Sequence, residues 1–175
     1  MALVEEPAPG PPWWQSIVGT KTATRTRPMT SNPYADPAVW AFAEHEHRDL
    51  ENGINRIHDV ACEVGRRPTP ELSAHVLEVL HWLDSTLAPH IAWEEAWLYP
   101  EIDTRTGTPW ATRAARFDHQ QIREMAARLR ADHDLLHGAQ AGDTKTETRC
   151  HLFGLEALVR AHLEREERFL IPLLE

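Results

Sequence analysis

The stretch His90-Ile-Ala-Trp-Glu94-Glu95-Ala-Trp-Leu98-Tyr-Pro100 returns 72 residues later as His162-Leu-Glu-Arg-Glu166-Glu167-Arg-Phe-Leu170-Ile-Pro172. The same offset carries His47 onto His119, Glu46 onto Asp118, Leu50 onto Ile122 and Ile57 onto Leu129. The chain therefore reads as a duplicated pair of helices. In each half a single histidine precedes a His-x-x-x-Glu by 43 residues, His47 before His90 and His119 before His162. An imidazole and a carboxylate four positions apart share one face of a helix. Four histidines and two glutamates in this arrangement form the pattern of a metal site.

Outward from these motifs, the periodicity predicts four helices. The first should begin at Asp36-Pro37, a capping residue followed by proline at the first helical position, and stop before Gly65. Its stripe of Trp40, Ala43, His47, Leu50, Ile54, Ile57, Ala61 and Val64 alternates steps of three and four, as in a bundle helix, with a histidine in an apolar seam. The second is signalled by Thr69-Pro70 and runs to Tyr99, with Leu72, Val76, Val79, Leu83, His90, Glu94 and Trp97 inward and Pro100 ending it. Pro89 lies inside it and predicts a bend or break just before His90. The third runs from Thr108-Pro109 to just before Gly138, with Ala115, His119, Ile122, Ala126, Leu129, His133 and Leu136 inward. The fourth runs from about Thr146 to Ile171, with Leu155, Leu158, His162, Glu166 and Phe169 inward. Short Pro, Gly and Thr connectors favour sequential antiparallel packing, hence an all-α, up-down-up-down four-helix bundle over residues 36–175. Residues 1–35 are rich in Pro, Thr and Ser and read as an extended or disordered arm, in which Trp13 and Trp14 either dock on the domain or a partner or form a partly exposed apolar anchor.

Antiparallel neighbours place the start of one helix beside the end of the next. His47 lies ten residues after Pro37, and His90 nine before Tyr99; His119 and His162 repeat the arithmetic against Pro109 and Ile171. At about 1.5 Å per residue, all four imidazoles sit roughly 15 Å from the same end of the bundle. Burying them with two carboxylates and no partners would cost several kcal/mol, so the cluster needs a metal or a complete hydrogen-bond network. Nitrogen and carboxylate donors without thiolate suit iron, manganese or zinc, and two bridging carboxylates suit a pair of ions. One His-x-x-x-Glu alone would mean little on a chain with this much His and Glu. Matching flanks, matching spacings and a common height are what distinguish the set His47, His90, Glu94, His119, His162 and Glu166.

These residues resemble the hemerythrin family, specifically the bacterial hemerythrin-like HHE cation-binding domains, whose pattern is His, His-x-x-x-Glu, His, His-x-x-x-Glu on four helices. The likeness spans about residues 37–175 and includes the Pro-His and the Glu-Glu-x-x-Leu-Tyr-Pro around the second-helix motif. It implies a non-haem di-iron centre, two Fe ions joined by bridging glutamates and an oxo or hydroxo bridge. It also implies ligand roles for His47, His90, Glu94, His119, His162 and Glu166. Oxygen-carrying hemerythrins use a second histidine four residues further along the third helix, where this chain has Arg123. They also use an aspartate five residues after the fourth-helix histidine, where this chain has Glu167 directly after Glu166. These departures point away from reversible oxygen carriage, because they change the donor set.

Outside the repeated motif, Glu51 stands one turn beyond His47, but its repeat mate is Arg123, so a surface or supporting role is expected. Glu44, whose mate is Arg116, is expected in solvent or beside the site. His133 and His137 lie at the far end of the third helix, about 21 Å from His119 by helical rise, too far for this site. His45, His58, His75, His81 and His151 read as surface or hydrogen-bonded histidines. Trp40 and Trp97 read as core packing one heptad from His47 and His90.

Composition narrows the function classes. With 175 residues, 42% hydrophobic and 26% charged, the chain suits one domain with a sizeable core. A formal charge of −9 and no basic cluster argue against nucleic acid or an anionic membrane as partner. Cys62 and Cys150 have no paired spacing and read as buried, reduced thiols, and no apolar run approaches a membrane span, so a cytoplasmic protein is expected. The leading expectation is a di-iron protein that binds or reacts with a small oxidant (oxygen, peroxide or nitric oxide), by turnover in preference to carriage. An iron- or oxygen-sensing module that acts on a protein partner, and a di-iron oxygenase with an organic substrate, are the alternatives.

Overall fold

The computed structural model describes residues 37–136 and 141–174, with side chains from Leu50 to Leu136 and from Asp143 to Leu174. The arm over residues 1–35, the cap at Asp36, the side chains of Trp40, Glu44, His45 and His47, and His137 lie outside the described residues. Helix α1 spans Pro37–Glu63 and ends against Gly65, whose φ of +84° is a left-handed conformation that glycine adopts without a Cβ clash. Helix α2 is a continuous helical run over residues 69–106, α3 spans Trp110–Leu135, and α4 runs over residues 141–174. Each helix packs on its sequence neighbours and α1 packs on α4, so the four close into the expected bundle. No strand occurs among the described residues.

Helix α2 does not break at Pro89 or stop at Pro100. It contains two π turns, Leu83–Leu87 and Glu94–Leu98, and α4 contains a third, Glu166–Leu170. In each, a widened hydrogen bond runs from the residue just before a proline: Ala88 N–H to Leu83 O, Tyr99 N–H to Glu94 O, and Ile171 N–H to Glu166 O. A proline inside a regular helix lacks one donor and collides with the carbonyl four residues back. The extra residue in the preceding turn moves that carbonyl, so the chain carries on as helix through Tyr99–Thr106. Each π turn also rotates the part of the helix beyond it. After Glu94 the next inward side chains are Leu98 and Tyr99 where a regular helix would present Trp97, and after Glu166 the inward one is Leu170 where it would present Phe169. Trp97 and Phe169, expected inside, are 44% and 65% exposed. Helix α4 also begins earlier than its stripe suggested, at Ala141.

The core falls into two apolar clusters. The larger fills most of the bundle, from Leu50 to Ala61 on α1 with Val64 just past its end, Leu72 to Ile91 on α2, Ile122 to Leu129 on α3 with Leu136 just past its end, and Leu152 to Leu163 on α4. The smaller caps one end with Leu98, Tyr99, Ile102, Ala115, Leu170 and Leu174. Along their helices Glu94, His119 and Glu166 fall between the two clusters. On α1 the indole of Trp82 lies where a side chain of residue 53 would be: a Cβ on Gly53 would come within 1.9 Å of Trp82 Cε2, so only glycine fits there.

Candidate metal centre

The polar layer between the two clusters holds five of the six expected side chains. His119, His162, Glu94 and Glu166 are fully buried, and His90 nearly so. The π turns that begin at Glu94 and Glu166 place these carboxylates at the same level of α2 and α4, while His90 and His162 stand one turn before them. Donor atoms of Glu94, His119, His162 and Glu166 all lie within 4.8 Å of one another. His119 Nε2 is 3.1 Å from Glu94 Oε2 and 3.1 Å from His162 Nε2, and His162 Nε2 is 3.6 Å from Glu166 Oε2. His90 joins through its Nε2, 2.8 Å from Glu94 Oε1.

The outer nitrogens of two imidazoles face acids. His119 Nδ1 donates to Glu95 Oε1 at 2.9 Å, and Glu95 Oε2 accepts from Arg123 at 2.8 Å. His162 Nδ1 is 3.7 Å from Asp118 Oδ2, which is paired with Arg165. A histidine whose Nδ1–H is given to a carboxylate has its Nε2 lone pair left for the interior. Tyr99, carried inward by the second π turn, donates its hydroxyl proton to Glu166 Oε1 at 2.6 Å, with His119 Nε2 3.0 Å away. Arg116 lies over the Tyr99 ring, 5.0 Å from its centroid, and reaches Asp103 at 3.3 Å.

The charges in this layer are unequal. Burial alone would raise the Glu94 carboxyl, but the charge of His90 and the close approach of the His119, His162 and His90 imidazoles outweigh it and hold it well below the usual carboxylate range. Burial, and then the charge of Glu94, push Glu166 well above that range. Burial depresses His162 and raises the Tyr99 phenol, the latter reinforced by Glu94 and Glu166. Burial would raise Glu95 too, but the bonds from Arg123 and His119 keep it below its ordinary value. Two carboxylates that share one dry site resist ionising together unless a cation lies between them.

The donor set fits such a cation. Both Glu94 oxygens and Glu166 Oε2 are buried with no hydrogen bond in proper geometry among the described residues. Adjacent donors on one ion, with bonds of about 2.1 Å, stand roughly 3 to 3.5 Å apart. The separations of 3.1 Å from His119 Nε2 to Glu94 Oε2 and to His162 Nε2 are of that size. Nitrogen and oxygen donors with no thiolate suit iron, manganese or zinc.

The remaining candidates lie elsewhere. Glu51 is exposed, and Arg123 reaches Glu95 with its side chain largely in solvent. His133 Nε2 meets Ser73 Oγ at 3.1 Å, His75 meets Glu63 at 2.5 Å, His151 meets the buried Asp132 at 2.6 Å, and His58 faces Glu156 at 3.5 Å. Cys62 is half-buried and Cys150 exposed, where burial was expected for both; neither is in a disulfide. Sequence reasoning passed over Tyr99, Glu95 and Asp118. The broken repeat carried a signal for the first, since the mate of Tyr99 is Ile171 and a lone phenol stands where the other half has a hydrocarbon. Glu95 and Asp118 adjoin motif residues, but only the packing of α2 against α3 and of α3 against α4 brings their carboxylates onto the imidazoles.

Comparison with curated proteins and with solved structures finds no match to this chain. The family model described as the hemerythrin HHE cation binding domain matches residues 39–174, which takes in the whole of the buried His and Glu layer. The chain belongs to the hemerythrin family of HHE cation-binding domains.

Proposed function

We propose that this domain is a di-iron protein that reacts with a small oxidant, with His90, Glu94, His119, His162 and Glu166 as donors. His47 completes the set, since it stands to His90 as His119 stands to His162 in the repeat. The observation that carries the reading is the convergence of four fully buried donor side chains to within 4.8 Å in a layer that the fold leaves short of hydrogen bonds. Iron held there would supply one-electron redox chemistry toward oxygen, peroxide or nitric oxide. The chain's own residues prepare the site. Glu95 fixes the ring of His119 with Nε2 inward. Tyr99 holds a proton at its hydroxyl and donates it to Glu166 Oε1 in a hydrogen bond. Leu98, Ile102, Leu170 and Leu174 close the end of the bundle and keep bulk water from the donors.

Turnover is favoured over carriage because Arg123 stands where oxygen carriers have a further histidine, and its guanidinium is engaged with Glu95. Elemental analysis of the purified chain is expected to give about two iron atoms per molecule, one for each His-x-x-x-Glu half. One zinc per chain, or an iron-loaded oxidised form without ligand-to-iron charge-transfer bands, would count decisively against the di-iron reading. The reduced protein, exposed to oxygen and then sparged with argon, is expected to stay oxidised; full recovery of the ferrous spectrum would identify a carrier.

A further inference from the structure

The position one turn after His119 on α3 is taken by Arg123, whose guanidinium donates to Glu95 Oε2 at 2.8 Å while Glu95 Oε1 accepts from His119 Nδ1 at 2.9 Å. Both oxygens of one carboxylate are thus used, one on each side, across the α2–α3 interface. The ring of His119 is fully buried and Glu95 is about one-third exposed, so the chain of contacts runs from solvent to the interior in two steps. The pairing is specific to one half of the repeat. The mate of Glu95 is Glu167, and the mate of Arg123 is Glu51, an exposed acid that offers no hydrogen-bond donor to a second carboxylate.

We infer that Arg123, acting through Glu95, is a positioning residue that sets the strength with which His119 binds a metal. The inference rests on the proposed metal-binding role of His119 and extends it to a residue that touches no donor atom of the cluster. A carboxylate that accepts from the outer nitrogen of an imidazole fixes the tautomer and makes the inner nitrogen a better donor, and loss of such a partner typically costs about 10- to 100-fold in metal affinity. Alone, Glu95 would be free to rotate toward water, because a partly exposed carboxylate gains as much from solvent as from one imidazole. Arg123 removes that freedom with a charge-assisted bond on the opposite oxygen.

The test is titration of the metal-free full-length chain with cobalt(II), followed by its visible bands and by competition with a chelator. Arg123→Gln is expected to weaken binding about tenfold and to shift the bands, and Glu95→Gln to weaken it at least as much. Arg123→Lys keeps a cation within reach of Glu95 and should recover most of the affinity. Arg128→Gln, an exposed arginine further along the same helix, should bind as the wild type does. Wild-type affinity and unshifted bands in Arg123→Gln would overturn the inference alone, as would equal losses in Arg123→Gln and Arg128→Gln. A wild-type chain that binds no cobalt at the buried layer would overturn the metal-binding reading and this inference with it.

Discussion

Tyr99 illustrates how much one side chain decides at this centre. Its hydroxyl donates to Glu166 at 2.6 Å, and both groups are buried. Tyr99→Phe removes the donor and leaves a buried carboxyl oxygen without it, so the metal-free protein is expected to lose about 1 to 3 kcal/mol in urea unfolding. An unchanged unfolding midpoint would show that the phenol contributes shape and not a hydrogen bond. The carboxylates divide in the same way. Glu94 and Glu166 are fully buried among imidazoles, while Glu51 is exposed although it completes the same His-x-x-x-Glu spacing with His47. Glu94→Ala and Glu166→Ala should each lower iron content severalfold by elemental analysis, and Glu51→Ala should not. Equal loss in all three variants would place Glu51 among the donors.

Among the helices, the π turns do what no residue pattern announced. Each accommodates a proline and advances the inward face by one position, which is why Leu170 and Tyr99 are inside and Phe169 and Trp97 are largely outside. The consequence can be measured by substitution at adjacent positions. Phe169→Ser should change stability by no more than about 0.5 kcal/mol, as at other exposed sites, whereas Leu170→Ala should cost about 2 to 5 kcal/mol through the cavity it opens in the capping cluster. The opposite order would mean that α4 keeps regular helical register through Glu166–Leu170.

Across the bundle, the two apolar clusters are joined through a layer whose two carboxylates resist ionising together unless a cation lies between them. Chelation is therefore expected to lower the melting temperature and iron to restore it, by an amount equivalent to about 2.7 kcal/mol when free iron is a hundredfold above its dissociation constant. No dependence of melting on iron would mean that imidazole and carboxylate bind each other well enough without a cation. Every proposed donor lies after Asp36, so a chain lacking residues 1–35 should keep its iron content and helicity. Loss of iron on truncation would make that segment part of the folded unit. No helix among the described residues is long and apolar enough to cross a membrane.

The four helices, their order and the inward facing of His90, Glu94, His119, His162 and Glu166 were legible in the residues alone. Periodicity and spacing follow from local geometry: 3.6 residues per turn puts His90 beside Glu94 and His162 beside Glu166 whatever surrounds them. The family was legible too, because the His and Glu pattern and its flanks recur in both halves. Tertiary packing decided which side chains stand behind those imidazoles and which face each helix turns before a proline. Glu95 reaches His119 and Asp118 approaches His162 only because separate helices meet, and a pair distant in sequence leaves no period to read. The π turns escaped notice for a related reason. A hydrophobic stripe reports the average rotation of a helix, and one added residue changes the facing of everything beyond it while leaving the composition of the stripe almost the same.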